Sequence, residues 1–510
     1  MPTKSATTDI TEPLWAKVID HTRCIGCHAC TTACKSENEV PLSVTRTYVK
    51  YVDTGVFPRA RRSFQVTRCN QCEDPPCVAA CPTAAMYRRP DGIVDFDKSI
   101  CIGCKACIAA CPYDAIFINP EDKSAEKCNF CAHRLDVGLE PACVVVCPTQ
   151  ALLVGDMRDP LSAVSEIVHR DAVAVRRPEK ETRPKVFYKG ADQVTLDPLA
   201  ARRPDGGLFM WSEQGNVDHQ VRSGHPGPWN SSAAAVLSYD VLHRAPWDWR
   251  VSAYTFTKSV AAGAYLVPLL LGALGLLPFT SSTWGLQVPI VAMLGLIVTG
   301  GLLVWDLEHP ERFWMVLFKP QWRSWLVRGG FIITAYGGVL TAHLGASFAG
   351  RADLTPTLGW IGGPLAAMTS VYTAYLFGQA RARDLWQSPL LPAHLLVQAL
   401  VAGGAVLLLL PGGAGAASSV TACFQLALAA HLVLVLGEAS MGHPTAHAAL
   451  AARAMTRGEY AHYFWVAVPL GVLGLVFAAS TPSIAAGAAL GSLLLYEHAF
   501  VQAGQSVPLA

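Results

Sequence analysis

From about residue 251 onward polar positions thin out, and the sequence turns into a series of apolar runs parted by short polar stretches. A helix that crosses a bilayer needs about 20 mostly apolar residues. Eight runs meet that length: 251–277, 286–305, 325–349, 358–377, 391–410, 418–437, 463–480 and 484–502. Glycine and alanine are abundant within them, which suits close helix packing in lipid. Trp284, Trp305, Trp325, Trp360 and Trp465 stand near their ends, where interfacial aromatics collect. The first half has another pattern. Thr47-Tyr48-Val49-Lys50-Tyr51-Val52 alternates as a strand does, 92–97 predicts a short strand, and 115–119 predicts its partner. The whole-chain averages (52% hydrophobic, 15% charged, net charge +2) blend these unlike halves. They carry no basic stripe that would suggest nucleic acid.

Sixteen of the 17 cysteines lie between Cys24 and Cys147, in four groups. The first is Cys24, Cys27, Cys30 and Cys34. The second is Cys69, Cys72, Cys77 and Cys81. The third is Cys101, Cys104, Cys107 and Cys111, and the fourth is Cys128, Cys131, Cys143 and Cys147. Pro82, Pro112 and Pro148 follow the last three groups; Lys35 follows the first. Cysteines two residues apart wrap a tight loop around one face of a cubane, and the cysteine three residues further on points away, as in two-cluster ferredoxins. Sixteen thiolates match four 4Fe–4S clusters. A disulfide framework would need an oxidising compartment, and residues 1–23 lack the apolar core of a secretory signal. Structural zinc also uses C-x2-C pairs, but not four of them each completed by a later C-x3-C. Cys423, alone in an apolar run, reads as a small packed hydrophobe.

On these motifs, together with Gly155-Asp156-Met157-Arg158-Asp159-Pro160 and Arg183-Pro184-Lys185-Val186-Phe187-Tyr188, residues 15 to about 190 resemble the four-cluster ferredoxin subunit of the complex iron–sulfur molybdoenzymes. The resemblance implies that outer and inner motifs interlock. One cluster would be held by Cys24, Cys27, Cys30 and Cys147, and a second by Cys34, Cys128, Cys131 and Cys143. A third would be held by Cys69, Cys72, Cys77 and Cys111, and a fourth by Cys81, Cys101, Cys104 and Cys107. Residues 191–250 read as a connector, irregular but long enough that part of it packs. His219 and His225 within it read as surface residues. The expected fold is an α+β ferredoxin-like iron–sulfur domain of two pseudo-repeated dicluster units (1–190), the connector (191–250), and an all-α membrane domain (251–510).

The membrane half resembles the polysulfide-reductase-type NrfD family, on Trp249 to Tyr265, on Trp305-Asp306-Leu307-Glu308-His309-Pro310-Glu311-Arg312-Phe313-Trp314, on Pro320 to Tyr336 and on Leu385-Trp386 to Pro392. That implies eight helices in two four-helix bundles, no haem, and a quinone site in the first bundle near the closest cluster. The predicted loops on the ferredoxin side carry Arg312, Lys319, Arg323, Arg381, Arg383, Arg453 and Arg457, against Arg351 on the other side. By the positive-inside rule the ferredoxin domain faces the cytoplasm, at the inner membrane.

Quinone chemistry needs two electrons and two protons, so titratable groups near the quinone carbonyls are sought. Tyr254, Lys258, Asp306, His309 and Arg328 are the candidates. The plain alternatives are an interfacial tyrosine, a helix-end aspartate, and loop pairing of His309 and Arg312 with Glu308 or Glu311. Lys258 departs from the family's usual small residue, and a charge there costs several kcal/mol unless it meets a partner or water. Deeper ionisable residues are His343, His394, His431, Glu438, Glu497 and His498; His431 and Glu438, at i and i+7, are the candidates for a proton path.

The expected function is electron transfer and membrane anchoring in a respiratory complex. Four 4Fe–4S clusters would link membrane quinone (menaquinone or ubiquinone) to a separate molybdenum or tungsten bis-pterin catalytic subunit, in an assembly open to further oligomerisation. Formate is the first expected substrate of that partner and a sulfur compound the second. Two alternatives compete: a redox-driven proton-translocating subunit, and a haem cytochrome ligated through pairs among His343, His394 and His431.

Overall fold

The computed structural model describes residues 12–55, 58–202, 235–241, 243–411 and 417–510. His219 and His225 lie outside the described residues. The chain divides into two compact units, Met1–Arg244 with Pro508–Ala510, and Ala245–Val507.

In the first unit the cysteine loops dictate the local structure. Short helices follow them: α1 (Ala29–Glu37), α2 (Pro76–Ala80), α3 (Ala106–Ala110), α4 (Ala132–Leu135) and α5 (Ala142–Val145). The residues entering α1, α3 and α4 (His28, Lys105 and Cys131) have left-handed backbone, φ 58°, 60° and 53°. That reversal lets successive thiols of one loop turn to the same side. Gly26 makes the turn within Cys24–Cys27 at φ 69°, and a Cβ there would stand 2.3 Å from the Phe64 ring, so only glycine fits.

Strand β1 (Trp15–Asp20), a hairpin of β2 (Thr47–Thr54) and β3 (Arg61–Arg68), and the pairs β4 (Met86–Arg88) with β5 (Val94–Phe96) and β6 (Ile116–Ile118) with β7 (Ala125–Lys127) are followed by β8 (Leu152–Asp156), β9 (Val173–Ala174), β10 (Val186–Lys189) and β11 (Val236–Tyr239). The main sheet runs β8-β1-β10-β9, with β1 parallel to β10 and antiparallel to β8. The strands expected at 92–97 and 115–119 do form, but they do not pair with each other. Each closes a local hairpin instead, β5 on β4 through the turn at Gly92 (φ 80°), and β6 on β7. A short local turn costs less closure entropy than a pairing across the whole third cysteine group. The alternating segment 47–52 forms the first six residues of β2 and is buried on both faces, with β3 on one edge of the strand and β11 from the connector on the other. Ile19, Val49, Val66, Ile93, Leu152, Val186 and Tyr188 share one core with the cysteines.

The second unit is helical. Its long helices are α6 (Trp249–Ala273), α7 (Val288–Trp305), α8 (Trp325–Phe348), α9 (Thr355–Gln379), α10 (Leu391–Leu409), α11 (Ala417–Ser440), α12 (Ala446–Thr456), α13 (Ala461–Phe477) and α14 (Pro482–Gln505). Among the described residues six stretches, 249–273, 283–305, 325–348, 391–409, 418–440 and 482–505, are each long and apolar enough to cross a membrane; α12 with α13, bent by 68°, makes a seventh candidate. The fourth predicted run, 358–377, lies within α9. That helix has 25 residues but buries Thr369, Ser370, Tyr372 and Thr373, and is too polar to qualify. Helices α6 and α10 cross at two glycines: a Cβ on Gly263 would sit 1.8 Å from the Ala399 carbonyl oxygen, and one on Gly403 2.0 Å from that of Gly263. Backbone contact of this kind sets which side chains of the two helices share depth. Of the cations counted for orientation, Arg383 is buried, its Nη1 donating to the carbonyls of Gln505 (2.9 Å) and Val507 (3.3 Å).

Candidate functional site

The sixteen cysteines gather in fours that cut across the sequence groups. Cys24, Cys27, Cys30 and Cys147 line one cavity of about 330 Å³. Cys69, Cys72, Cys77 and Cys111 line another of about 290 Å³, and Cys81, Cys101, Cys104 and Cys107 a third of about 360 Å³. Around Cys34 the neighbouring thiols are Cys128, Cys143 and Cys131, and Asn38 Nδ2 stands 3.7 Å from the sulfurs of both Cys34 and Cys131. Among the described residues no three His, Cys, Asp or Glu side chains are set close enough to hold a single metal ion.

Burial works against ionisation of these thiols. It pushes Cys30 up to about 11 and Cys34, Cys72 and Cys111 up to about 12, with neighbouring sulfurs adding to the effect. Thiols packed this way become thiolates when a polynuclear cation supplies the balancing charge. Cys143 is the exception. Burial raises it too, but Lys17 and Arg68 outweigh burial and bring it down to about 7. Arg68 is fully buried, and its Nε and Nη2 have no hydrogen-bond partner among the described residues. A guanidinium so placed fits beside a bound anionic iron–sulfur cluster.

A second, half-buried charge ties the connector to this unit. Both ring nitrogens of His243 meet carboxylates, Nδ1 that of Asp114 and Nε2 that of Asp240 at 3.1 Å, with the Tyr48 ring alongside. Burial lowers the proton affinity of His243, but the two carboxylates prevail and raise it to about 9. Its stabilisation is therefore complete below the unfolded value of about 6.5 and is lost as pH rises through about 9, on the order of 3 kcal/mol in all. Thermal unfolding of the intact protein is expected to fall in midpoint from pH 6.5 to 9, and His243→Gln to flatten that dependence.

In the second unit three of the five quinone-site candidates are buried, two of them on neighbouring turns of α6. Lys258 is 0% exposed, and its Nζ donates to the Ser370 carbonyl (2.7 Å) and to Thr373 Oγ1 (2.8 Å), both on α9. Its charge faces Glu497 on α14, whose buried Oε1 has no hydrogen-bond partner. Tyr254, one turn before Lys258 on α6, also buries its hydroxyl. Asp306, capping the C-terminus of α7, is 7% exposed and 3.8 Å from Arg250. The other two candidates stand apart. His309 sits in the following loop with Nδ1 2.9 Å from Glu311, the plain loop pairing that its sequence neighbours allow. Arg328 is exposed, its Nε on the Trp322 carbonyl (2.8 Å) and its guanidinium over the Trp325 ring. Thr373 and Ser370 give no signal in sequence beyond the lowered apolarity of α9.

His431 and Glu438 do not touch each other directly. His431 Nδ1 is 3.1 Å from His394 Nε2, Glu438 accepts from the Tyr496 hydroxyl (2.9 Å), and the Tyr496 ring lies against both imidazoles. The two histidines thus spend a nitrogen on each other rather than facing a common iron. His343 pairs with the Tyr265 hydroxyl (2.8 Å). Tyr496 and Glu497 are adjacent on α14, so that helix turns one group toward α10 and α11 and the next toward α6.

Residues 61–157 match the 4Fe-4S dicluster domain family, and residues 240–490 match the polysulphide reductase NrfD family. The chain is 44% identical over 207 residues to a tetrathionate reductase subunit of Salmonella typhimurium, covering 39% of this chain and 80% of that protein. It is 45% identical over 176 residues to a polysulfide reductase component of Wolinella succinogenes, covering 34% and 92%. It is 51% identical over 139 residues to the thiosulfate reductase electron transfer subunit PhsB of Salmonella typhi, covering 27% and 72%.

Proposed function

This protein belongs to the family of the tetrathionate and polysulfide reductase subunits named above, joined in one polypeptide to an NrfD membrane domain, and from that premise we propose that it carries electrons between a catalytic partner and membrane quinone. It is a multi-pass membrane protein with an iron–sulfur electron-transfer domain. The observation that carries the proposal is the sorting of its sixteen cysteines into fours. Four 4Fe–4S clusters bound there would supply a chain of one-electron carriers. The partner is a separate molybdenum or tungsten bis-pterin subunit on the cytoplasmic side. The relatives are named for tetrathionate, polysulfide and thiosulfate, which puts a sulfur compound ahead of formate as its substrate. Eight spans in two bundles remain our reading of the second unit, with α9 shielded by its neighbours.

Lys258, Tyr254, Asp306 and Glu497 are proposed to serve the quinone. They supply hydrogen bonds and protons to its carbonyls from a buried setting, and menaquinone and ubiquinone offer the same carbonyl chemistry. The linked set His394, His431, Tyr496 and Glu438 favours a second reading, a proton path through the other half of the unit. Loss of proton uptake in proteoliposomes on Glu438→Gln, with quinone turnover intact, would support that reading.

Purifying the native complex through a tag on this chain tests the main proposal. A co-purifying molybdenum or tungsten subunit, with tetrathionate, polysulfide or thiosulfate turnover linked to quinone, is expected. Formate turnover would restore formate as the substrate. A chain that arrives alone, without quinone-linked activity, would overturn the assignment.

A further inference from the structure

Two cations are buried against the sulfur set of Cys34, Cys128, Cys131 and Cys143. Arg68, at the end of β3, donates through Nη1 to Cys143 Sγ at 3.2 Å. Lys17, in the middle of β1, points its Nζ at the same sulfur from 3.6 Å, while resting 4.5 Å above the Phe130 ring. Both are at most 1% exposed. Asn38 adds a neutral donor 3.7 Å from Cys34 and Cys131. Among the other ligand sulfurs, Cys147 receives a backbone N–H from Ala151 (3.2 Å), Cys81 from Met86 (3.4 Å) and Cys101 from Ala125 (3.4 Å), while Cys69 and Cys77 lie in the field of the buried Lys127.

A buried cation is expensive to desolvate and stays only where negative charge compensates it. Neither Arg68 nor Lys17 has a carboxylate on it among the ion pairs of the described residues, so the thiolates carry that burden. One added electron on a cluster is one more negative charge at the same place. A fixed positive charge a few ångströms away, little screened in a buried site, favours that added charge. Hydrogen bonds to ligand sulfurs act in the same direction.

We propose that Arg68 and Lys17 raise the redox potential of the cluster held by Cys34, Cys128, Cys131 and Cys143, making it easier to reduce than the same cluster without them. The inference rests on the iron–sulfur reading above. The reaction concerned is the gain of one electron by that cluster from the chain's electron donor, with no bond to either side chain made or broken and no proton moved.

The test is a potentiometric titration of the purified full chain, poised with dithionite and followed by electron paramagnetic resonance. Cys131→Ser identifies the signal of this cluster. In Arg68→Gln that signal is expected to need a lower potential, with at least a tenfold fall in its reduced-to-oxidised ratio at fixed potential, or 59 mV for a one-electron couple. The other signals should move much less, and Arg68→Lys should restore most of the shift. Lys17→Met should give a smaller shift of the same sign, and it decides the matter if Arg68→Gln loses iron. An unshifted signal in both neutral variants at full iron content, or an equal shift of all signals, would overturn the proposal. Absence of any iron–sulfur signal in the wild-type chain would instead remove the iron–sulfur reading on which it stands.

Discussion

Replacing Cys111 by alanine is expected to remove one cluster, about four irons of sixteen, and the cluster lost should be that of Cys69, Cys72 and Cys77. Cys111 lies in sequence with Cys101, Cys104 and Cys107, yet its sulfur lines the cavity of the second group. The remaining member of that second group, Cys81, lines the cavity of the third. The proline after each of these cysteines ends the short helix and sends the sulfur across. Pairs of substitutions separate the two arrangements. Cys111→Ala combined with Cys69→Ala should cost no more iron than either alone, because both remove the same cluster. Cys111→Ala combined with Cys101→Ala should cost two clusters. Non-additivity is the signature of a shared site, and iron content with the count of paramagnetic signals reads it. Transfer between the catalytic partner and quinone should stop in every one of these variants, since a missing carrier breaks the relay.

Lys258→Met carries the second large effect. The substitution keeps most of the side-chain volume and removes the charge and the donors. Lys258 is held by the Ser370 carbonyl and Thr373, in the field of Glu497 and one turn from Tyr254. An ammonium with no water contact is costly in a membrane domain, and the fold tolerates it in the field of Glu497, whose buried Oε1 has no hydrogen-bond partner among the described residues. An unsatisfied buried oxygen beside a buried ammonium is suited to a polar ligand. A positioned acid or base contributes 10² to 10⁴-fold, so reoxidation of the reduced clusters by quinone should slow by about a hundredfold or more, while reoxidation by ferricyanide stays unchanged. Lys258→Met with Glu497→Gln separates loss of the donor from the penalty of a stranded carboxylate. Recovery in the double variant would make Lys258 a structural counter-ion. Equal slowing in both would keep it at the quinone.

What can be read from sequence follows from which constraints are local. Each cysteine loop is written in residues two and three apart, and Gly26 shows how tightly that spacing fixes the backbone. The apolar runs announce helices because hydrophobicity over some 20 residues is a local property. Partners across the fold are not local. The strands at 94–96 and 116–118 invite pairing with each other, but each has a nearer partner. His431 and Glu438 do share a face of α11, yet what joins them, Tyr496 and His394, comes from helices whose placement depends on packing such as the contact of Gly263 with Gly403. Arg68 and Lys17 sit in strands where a charged residue ordinarily reads as a solvent-facing position. Nothing in their spacing marks them as buried against a thiolate.

The central claim is that the clusters of this one chain exchange electrons with quinone, and stopped-flow absorbance tests it most directly. The purified full chain, reduced with dithionite so that its broad absorption near 420 nm is bleached, is mixed with a soluble menaquinone or ubiquinone analogue. The account predicts that the absorption returns with saturating dependence on quinone, and that it returns slowly in Lys258→Met. Clusters that stay reduced in the presence of either quinone, yet reoxidise promptly with ferricyanide, would contradict it.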